Sequence, residues 1–541
     1  MINCLKNQIN KNSSLYKSFI KHNKKMFPKL DNKKKDGEIL IEFNAFHSFH
    51  IPISYFANYF KNLHNTEIKA FFNYSIIAAP LKPSPLNKIK WNLGNIFSLK
   101  NFGIYRSFGT ETIFRPKITN EQNRKANEKY FKLIKNIKKK KNILDIKIDE
   151  IKIGDLIYDT YLKSQMKPSV DLEDKNIYLI IHDFCKLYYF WKDYFINNNV
   201  KCIVGVHTTY AYGLPLRIAV NNGISTYSVS MRKINRISKT LPFYGGEFTN
   251  FPEIFQKLES QMKYDGINEA KKRLQKRIAG ESGIKVDLIS SEVSSFHNKI
   301  TKNLITQNDK IKVLIATHDF FDAVHAMGDI LFTDFYEWLD FLGKMSEITD
   351  YDWYIKNRPN YPGKFQNYQP HTTKTVNDLL KKYKNIKLLP GHYSHHQIIK
   401  EKINFVFTSY GTVGTEYALF DIPVINAAVN NPHHRYNFNF NPKSIEEYKN
   451  MILNLSSLNL KIDKNEIYEH YFMKQIYFTK NWLIDDLNDL IKYVGGWSGQ
   501  NSLKLYAYWM SICSEQKHKN VFKTIEKFIK SDEDSININH L

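Results

Sequence analysis

An alternation of apolar strands and amphipathic helices over residues 311–426 constrains the fold of this chain more than any other feature. Short apolar runs predict strands at 311–316, 353–356, 386–389, 405–408 and 424–426. Helical patterns between them predict helices at 329–344, 372–383, 394–400 and 413–420. Because strand–helix–strand units build parallel sheets covered on both faces, this half of the chain predicts an α/β domain.

The first half repeats the alternation. Strands are predicted at 39–43, 68–72, 176–181, 200–206 and 224–229, and helices at 52–62, 184–195 and 214–221. The predicted fold class is α/β, with two Rossmann-like doubly wound domains facing a cleft and a helical C-terminal extension. The predicted boundaries are a flexible basic arm over 1–36, a first Rossmann-like domain over 37–250, a helical linker over 251–310, a second Rossmann-like domain over 311–460, and a helical extension and tail over 461–541.

Charge and composition bear on the binding partners and the cellular compartment of this protein. The chain has 78 Lys and Arg against 53 Asp and Glu in 541 residues, a formal net charge of +25. The densest basic block, 132–141, is interpreted either as a solvated helix face or as a contact with an acidic membrane surface or polyanionic glycan. No zinc-finger spacing or RNP-like motif favours nucleic acid as a partner. The four cysteines are far apart and lack metal-binding spacing, so a reducing compartment without a disulfide framework is expected. No signal peptide and no apolar run of about 18 residues is found, so a cytoplasmic protein is expected.

The segment 405–436 carries the most chemistry. A strand ending at Thr408 is followed by small and hydroxylated residues and then by a helix. Backbone N–H groups in such a turn can approach an anion, so Ser409, Gly411, Thr412 and Gly414 are predicted to form a phosphate cradle, with Glu416 accepting hydrogen bonds from sugar hydroxyls. The alternative is a tight α/β connection in which Thr412 caps the helix and Glu416 is its capping partner.

Cations follow two other strands of the same predicted sheet. Lys356 and Arg358 lie at the end of one strand, and His392 follows another. Because the carboxyl ends of parallel strands share one edge, these side chains are expected to converge with the Ser409 turn. Lysine and arginine at such an edge are suited to a phosphate-bearing ligand.

The order of these motifs resembles the C-terminal half of GT-B glycosyltransferases. It is most similar to the bacterial capsule and surface-polysaccharide group, which includes Kdo transferases, bacterial sialyltransferases and CDP-glycerol glycerophosphotransferases. The motifs are K-x-[HR]-P, then x-P-x, then S-x-x-[ST]-x-x-x-E, spread over residues 311–460. The resemblance implies that Lys356, Arg358, Ser409 and Thr412 hold the donor phosphates and that Glu416 is the family's acidic helix residue. Arg358 replaces the family's His, and it can neutralise phosphate but cannot act as a general acid.

The resemblance also implies an acceptor site in the first domain. Inverting transfer needs a base, and the candidates are Asp183, His50 and His207, in that order, each at a predicted strand end. Asp319, after the first strand of the second domain, is a further catalytic candidate, although it or Asp322 is alternatively a helix cap. His325 and Asp329 are spaced to share a helix face. For Tyr210, Tyr212 and Arg217, the choice is between a sugar pocket and core packing.

The resemblance implies a metal-independent glycosyltransferase with no cofactor. Its expected partners are a nucleotide-sugar donor, a glycan or lipid-linked glycan acceptor of a surface polysaccharide, and the acidic inner face of the cytoplasmic membrane. Three rivals remain open. They are a CDP-polyol phosphotransferase, a nucleotide-sugar 2-epimerase, and a non-catalytic capsule assembly protein.

Overall fold

Two parallel β-sheets organise the chain in the computed structural model. It describes residues 2–28, 35–72, 85–241, 246–280, 295–297, 301–357, 369–478, 482–495 and 502–541. The chain divides into two units. Unit 1 contains Met1–Thr160, Leu172–Tyr244 and Phe478–Leu541, and unit 2 contains Tyr161–Asp171 and Gly245–Tyr477. The C-terminal residues predicted to form a separate extension therefore belong largely to unit 1.

Unit 1 is built on a six-stranded sheet. Its strands and the small β4–β5 hairpin are β1 Glu38–Glu42, β2 Glu67–Phe71, β3 Thr110–Phe114, β4 Lys147–Ile148, β5 Ile151–Lys152, β6 Val200–Gly205, β7 Ser225–Val229 and β8 Ile234–Arg236. The helices of this stretch are α1 Ile2–Met26, α2 His47–His64, α3 Pro85–Ile96, α4 Asn101–Ser107, α5 Asn120–Ile134, α6 Lys140–Leu144, α7 Gly154–Gln165, α8 Lys175–Asn197 and α9 Tyr210–Asn221. The sheet order is β3-β2-β1-β6-β7-β8, with β8 antiparallel to β7.

Unit 2 is built on a five-stranded, fully parallel sheet. Its elements are α10 Phe251–Lys257, α11 Ser260–Ile278, β9 Lys312–Ala316, α12 Phe335–Ile348, β10 Asp352–Lys356, α13 Gln369–Lys382, β11 Ile386–Leu389, α14 His395–Lys400, β12 Phe405–Thr408, α15 Val413–Ala418, β13 Val424–Asn426, α16 Ile445–Leu453 and α17 Lys464–Phe472. The sheet order is β11-β10-β9-β12-β13. Three further helices, α18 Leu487–Val494, α19 Lys504–Ile512 and α20 Glu515–Lys530, return to unit 1.

Both sheets are covered on both faces, which confirms the predicted α/β class with two Rossmann-like units. In unit 2, Tyr354, Val406 and Val424 pack on one face with Ile398 and Tyr417 of α14 and α15. On the other face, Trp353 stacks on Phe407 at 5.7 Å, and α12 and α16 cover them. In each unit the order reverses beside the first strand, the 3-2-1-4-5 arrangement in which ligands bind beyond the strand ends.

Two predicted elements were wrong. The run 176–181, predicted as a strand, begins the helix α8, which is capped by Asp174. Its buried residues continue at helical spacing through Phe184, Tyr188 and Trp191, and this longer stripe decides the helix. The helix predicted over 329–344 begins only at Phe335, because the Asp334 carboxylate accepts from the Glu337 N–H at 2.8 Å and caps it there.

The predicted flexible arm over 1–36 was also wrong for residues 2–26, which form α1. Phe19 of this helix is buried and stacks on Tyr506 of α19, with ring centroids 4.0 Å apart. The Asn23 amide donates to Ser107 Oγ at 2.9 Å. Within the described part of the chain, no helix is long and apolar enough to cross a membrane.

Candidate functional site

The carboxyl edge of the unit 2 sheet gathers the residues that carry chemistry. Thr317 and His318 follow β9, Ser409 and Tyr410 follow β12, and Lys356 ends β10. Strands β9 and β12 are neighbours, and the chain leaves them in opposite directions across the sheet. This is the topological switch point, where an α/β sheet opens a crevice for a ligand.

His318 closes the turn that follows β12. The backbone N–H groups of Ser409 and Tyr410 donate to His318 Nε2 at 3.3 and 3.4 Å. The Thr408 hydroxyl lies 3.0 Å from the same nitrogen and accepts from the Gly411 N–H at 3.2 Å. Because Nε2 accepts these bonds, we place the imidazole proton on Nδ1. The predicted cradle amides of Ser409 and Gly411 are thus held by the protein itself.

Ser409 presents an unsatisfied hydroxyl at this turn. Its side chain is 1% exposed, and Oγ has no hydrogen-bond partner among the described residues. A buried hydroxyl without a partner is costly, so such a group is a marker of a ligand or water position. Gly411 is required for the close turn, because a Cβ there would lie 2.8 Å from Thr408 Oγ1.

Lys356 is a buried cation at the same edge. The residue is 4% exposed, and no described carboxylate or carbonyl accepts a hydrogen bond from its ammonium group. Burial lowers the pKa of Lys356 to about 8, although the charge of Glu416 acts in the opposite direction. At neutral pH the group therefore remains charged, at a cost that a bound anion would offset.

Glu416 is held by a partner that the sequence did not indicate. Arg277, in the last turn of α11, donates from Nε to Glu416 Oε1 at 2.8 Å. This carboxylate oxygen is thus occupied, which differs from the predicted role of accepting sugar hydroxyls. Among the described residues, Lys356 therefore has no hydrogen-bonded carboxylate, although it feels the charge of Glu416.

A buried histidine completes the cluster. His395 Nδ1 lies 2.6 Å from the Tyr417 hydroxyl. Burial raises the pKa of Tyr417 well above its ordinary value, so the phenol donates this bond. Burial, followed by the charges of Lys356 and Arg277, holds the pKa of His395 well below its usual range. We infer a neutral imidazole whose Nε2 carries the proton.

The remaining predicted donor residues differ in their placement. His392 is exposed, and its carbonyl accepts from His297 Nε2 at 2.8 Å. Thr412 is exposed and precedes α15, but its side chain makes no capping bond. Gly414 is needed for packing, because a Cβ there would lie 2.5 Å from His433 Cε1. Arg358 lies outside the described residues.

The corresponding edge of the unit 1 sheet holds a buried acid. Glu42 ends β1, and its Oε2 accepts the backbone N–H of Val206 at 2.8 Å. His207 follows β6, is partly exposed, and places Nδ1 3.7 Å from Glu42 Oε1, an ion-pair distance. Burial would raise the pKa of Glu42, but His207 and the bonds from Val206 and Asn44 outweigh it and hold that pKa below its ordinary value. A partly exposed imidazole thus stands beside a buried carboxylate.

The other catalytic candidates lie in different surroundings. His50 is inside α2, fully buried, and bonded through Nδ1 to Tyr506 and through Nε2 to the Asn44 carbonyl. Burial lowers its pKa to about 3. Asp183 is within α8, not at a strand end, and its carboxylate accepts from Lys186 at 3.2 Å. The predicted strand-end position on which its candidacy rested was therefore wrong.

Asp319 follows β9 and is half-buried, as predicted for a loop at this edge. The neighbouring acids have structural partners. Asp322 accepts from Lys163 at 2.7 Å, and Asp334 accepts from Ser169 at 2.6 Å. His325 lies in a turn and Asp329 in an irregular segment, so the two do not share a helix face. The described residues contain no group of three His, Cys, Asp or Glu side chains able to hold a metal ion.

Comparisons with known proteins give remote structural likenesses. No family model and no curated protein matches the chain at the significance required. A UDP-GlcNAc 2-epimerase from Neisseria meningitidis bound to UDP-GlcNAc is 11% identical, with 88% of this chain and 99% of that chain covered and a TM-score of 0.21. A glycosyltransferase from Rickettsia africae is 9% identical, with 89% and 100% covered and a TM-score of 0.23. TM-scores this low assign no activity, so function must be argued from this chain's own residues.

Sequence reasoning missed three residues that shape these edges. Arg277 is 139 positions from Glu416, and nothing local marks it as its partner. Glu42 ends an apolar strand, and a carboxylate at a strand end is itself a usable signal. His318 directly follows a predicted strand, but that position alone does not indicate a role. Its role depends on the contact with Thr408, 90 positions away.

Proposed function

We propose that this protein is a GT-B-type glycosyltransferase that transfers a sugar from a nucleotide-sugar donor to a surface glycan or its lipid-linked precursor. The donor phosphates bind at the carboxyl edge of the unit 2 sheet. The acceptor binds unit 1. The motif order of Lys356, Ser409 and Glu416 supports this assignment, as does the presence of two Rossmann-like units in one chain.

Buried Lys356 is the observation that carries the proposal. Its ammonium lacks a hydrogen-bonded anion among the described residues, and Ser409 Oγ lacks a partner two strands away. Neighbouring strands are about 4.8 Å apart, so the two groups stand at a separation of about 10 Å between their backbones. A sugar diphosphate is long enough to contact both. The lysine would neutralise the departing phosphate, because preformed charge is most effective where water is excluded.

His207 is the base that the unit 1 geometry favours. Its ring is partly exposed, whereas His50 has both nitrogens engaged. In the proposed reaction, His207 accepts the proton of the attacking acceptor hydroxyl while the sugar–phosphate bond breaks. The carboxylate of Glu42 stabilises the imidazolium that forms. The nucleotide leaves with the bonding electrons.

The rivals make different demands on the same edge. A CDP-polyol phosphotransferase would bind CDP-glycerol, and the acceptor hydroxyl would attack this donor at phosphorus. A 2-epimerase would consume the donor without an acceptor. A non-catalytic assembly protein needs no nucleotide.

Calorimetry with CMP, CDP, UDP, GDP and their sugar conjugates tests the assignment directly. We expect one nucleotide to bind selectively. Nucleotide release only on addition of acceptor would identify a transferase, and turnover of the donor alone would identify an epimerase. Binding of none of these ligands would overturn the proposal.

The Ser409→Ala substitution is expected to weaken binding of that nucleotide about 10- to 100-fold, because a hydrogen bond to a charged phosphate is lost. The free energy of unfolding should not fall, since the hydroxyl has no partner among the described residues. Ser346→Ala is the matched control. Ser346 is equally buried in unit 2, and its hydroxyl donates to the Gly343 carbonyl at 2.6 Å. Unchanged affinity in Ser409→Ala would remove this residue from the site.

His207→Gln is expected to lower transfer to acceptor about 100-fold or more while leaving the nucleotide dissociation constant unchanged. The control is His182→Gln, because His182 is half-buried and bonded to Asn127 Oδ1 at 2.6 Å. Circular dichroism of the variant, measured beside its single-turnover rate, would separate loss of the base from a folding defect. Normal transfer by His207→Gln would exclude His207 as the base.

A further inference from the structure

Helix α3 has an apolar face directed to solvent. Leu86, Ile89, Leu93 and Ile96 recur at spacings of three and four residues and so share one side of the helix. Phe97 and Leu99 follow immediately. The exposed fractions of these six residues range from 47% to 72%. We define the six as the α3 face.

The opposite side of the same helix fixes it to unit 1. Trp91 packs against Phe43 and Phe102 at 5.2 and 4.9 Å, and the Arg115 guanidinium lies 3.8 Å from its ring centroid. Asn95 donates to the Ile113 carbonyl at 3.0 Å. The helix is thus anchored by its inner side, and folding does not require six large apolar residues on its outer side.

Such clustering is unusual for a protein surface. Exposed apolar side chains elsewhere, such as Tyr264 and Ile348, lie singly along the sequence. Single exposures need no explanation, whereas a contiguous apolar face marks an interaction surface.

The charge around the α3 face indicates its partner. Residues 85–107 contain Lys88, Lys90, Lys100 and Arg106 and no Asp or Glu. The three lysines are exposed. A second copy of this chain would set these cations against each other across a symmetric contact. An acidic, partly apolar surface is complementary to both features.

We propose that the α3 face lies in the interfacial region of an anionic lipid bilayer. The apolar side chains enter the headgroup–acyl boundary, and the flanking lysines contact lipid phosphates. The helix lies in the plane of the membrane and does not cross it. This surface differs from the basic block 132–141, which lacks such an apolar face. The inference is independent of nucleotide binding, so either proposal can fail alone.

Cosedimentation of the full chain with phosphatidylcholine vesicles containing about 30% phosphatidylglycerol, without nucleotide, tests the inference. We expect binding that falls at high salt and is much weaker to phosphatidylcholine alone. Ile89→Ser with Ile96→Ser should reduce the partition coefficient at least about tenfold. Lys88→Gln with Lys90→Gln should reduce it roughly fivefold or more. These exposed positions should tolerate the changes, and circular dichroism would verify the fold.

Two control variants are matched to these changes. Tyr264→Ser with Ile348→Ser removes equally exposed apolar residues from unit 2, and Lys138→Gln with Lys139→Gln removes charge from the basic block. Both should bind vesicles normally. The inference is overturned if the wild-type chain does not bind, if the α3 variants bind normally, or if only the basic-block variant loses binding. It is also overturned if sedimentation shows that the α3 variants dissociate a dimer and leave vesicle binding intact.

Discussion

Lys356→Met is expected to abolish nucleotide binding and, at the same time, to stabilise the free protein. Loss of a buried cation from the proposed donor site should weaken nucleotide binding at least about 100-fold. The pKa of Lys356 is lowered from 10.5 to about 8, so holding its charge in the fold costs about 3 kcal/mol at neutral pH. Methionine fills a similar volume without that cost, so thermal unfolding should shift to higher temperature.

The pH dependence of stability separates this effect from simple repacking. Below pH 8 Lys356 is charged in both the folded and unfolded states, and the full cost is present. Between pH 8 and 10.5 the unfolded chain binds more protons at this site, so wild-type stability rises relative to the variant. The difference in free energy of unfolding between the two proteins should therefore vanish over this range. Denaturant titrations at pH 7 and pH 10.5 would measure it.

Nucleotide affinity should change over the same range. The bound anion favours the charged lysine, so wild-type affinity should fall about tenfold from pH 7 to pH 9 for a free pKa of about 8. Lys312→Met is the matched control. Lys312 is equally buried at the other end of the sheet, but its ammonium donates to the Asn308 carbonyl at 2.6 Å. A Lys356→Met protein that unfolds more readily and binds nucleotide normally would contradict the donor-site assignment.

The fold was predictable wherever short apolar runs were bounded by turn residues. Strands β11 and β12 match their predicted ranges because both runs are short and lie between polar or turn-forming residues. The run 176–181 failed because a short apolar run fits a buried strand and a buried helix equally well. The packing of the C-terminal helices in unit 1 could not be predicted from the sequence either. It depends on contacts such as Tyr506 with His50, 456 positions apart.

For the candidate site, the positions of the residues were predictable and their hydrogen-bond partners were not. Lys356, Ser409 and Gly411 were identified because each follows or ends an apolar strand, and strand ends share an edge. The hydrogen bonds around them were not predictable from the sequence. The partner of Glu416 comes from another helix, and the turn amides bond to a histidine from a different loop. The motif therefore located the edge, whereas the Lys356 ammonium and the Ser409 hydroxyl, which lack hydrogen-bond partners among the described residues, emerged only from the packing.

Arg217→Met is expected to have the largest effect on stability, about 3 to 5 kcal/mol. The guanidinium donates to both carboxylate oxygens of Asp155 at 2.7 and 2.6 Å and to the Lys152 carbonyl at 2.7 Å. Both side chains are more than nine-tenths buried. Arg217, considered as a sugar-pocket residue, thus lies in the interior. Its removal would take the guanidinium away from a buried carboxylate, so urea denaturation should show a marked loss of unfolding free energy.

A second substitution identifies the source of that loss. If the charge of the buried Asp155 carboxylate is responsible for the loss, Asp155→Asn in the Arg217→Met background should recover part of the stability. A neutral amide costs less free energy to bury than a carboxylate. Lys464→Met is the surface control. Its ion pair with Asp421 spans 2.9 Å but is exposed, so its removal should cost less than about 1 kcal/mol. Nucleotide affinity of the folded Arg217→Met protein should be unchanged, since the pair belongs to unit 1. A stable Arg217→Met protein that transfers sugar poorly would instead support the interpretation of Arg217 as a sugar-pocket residue.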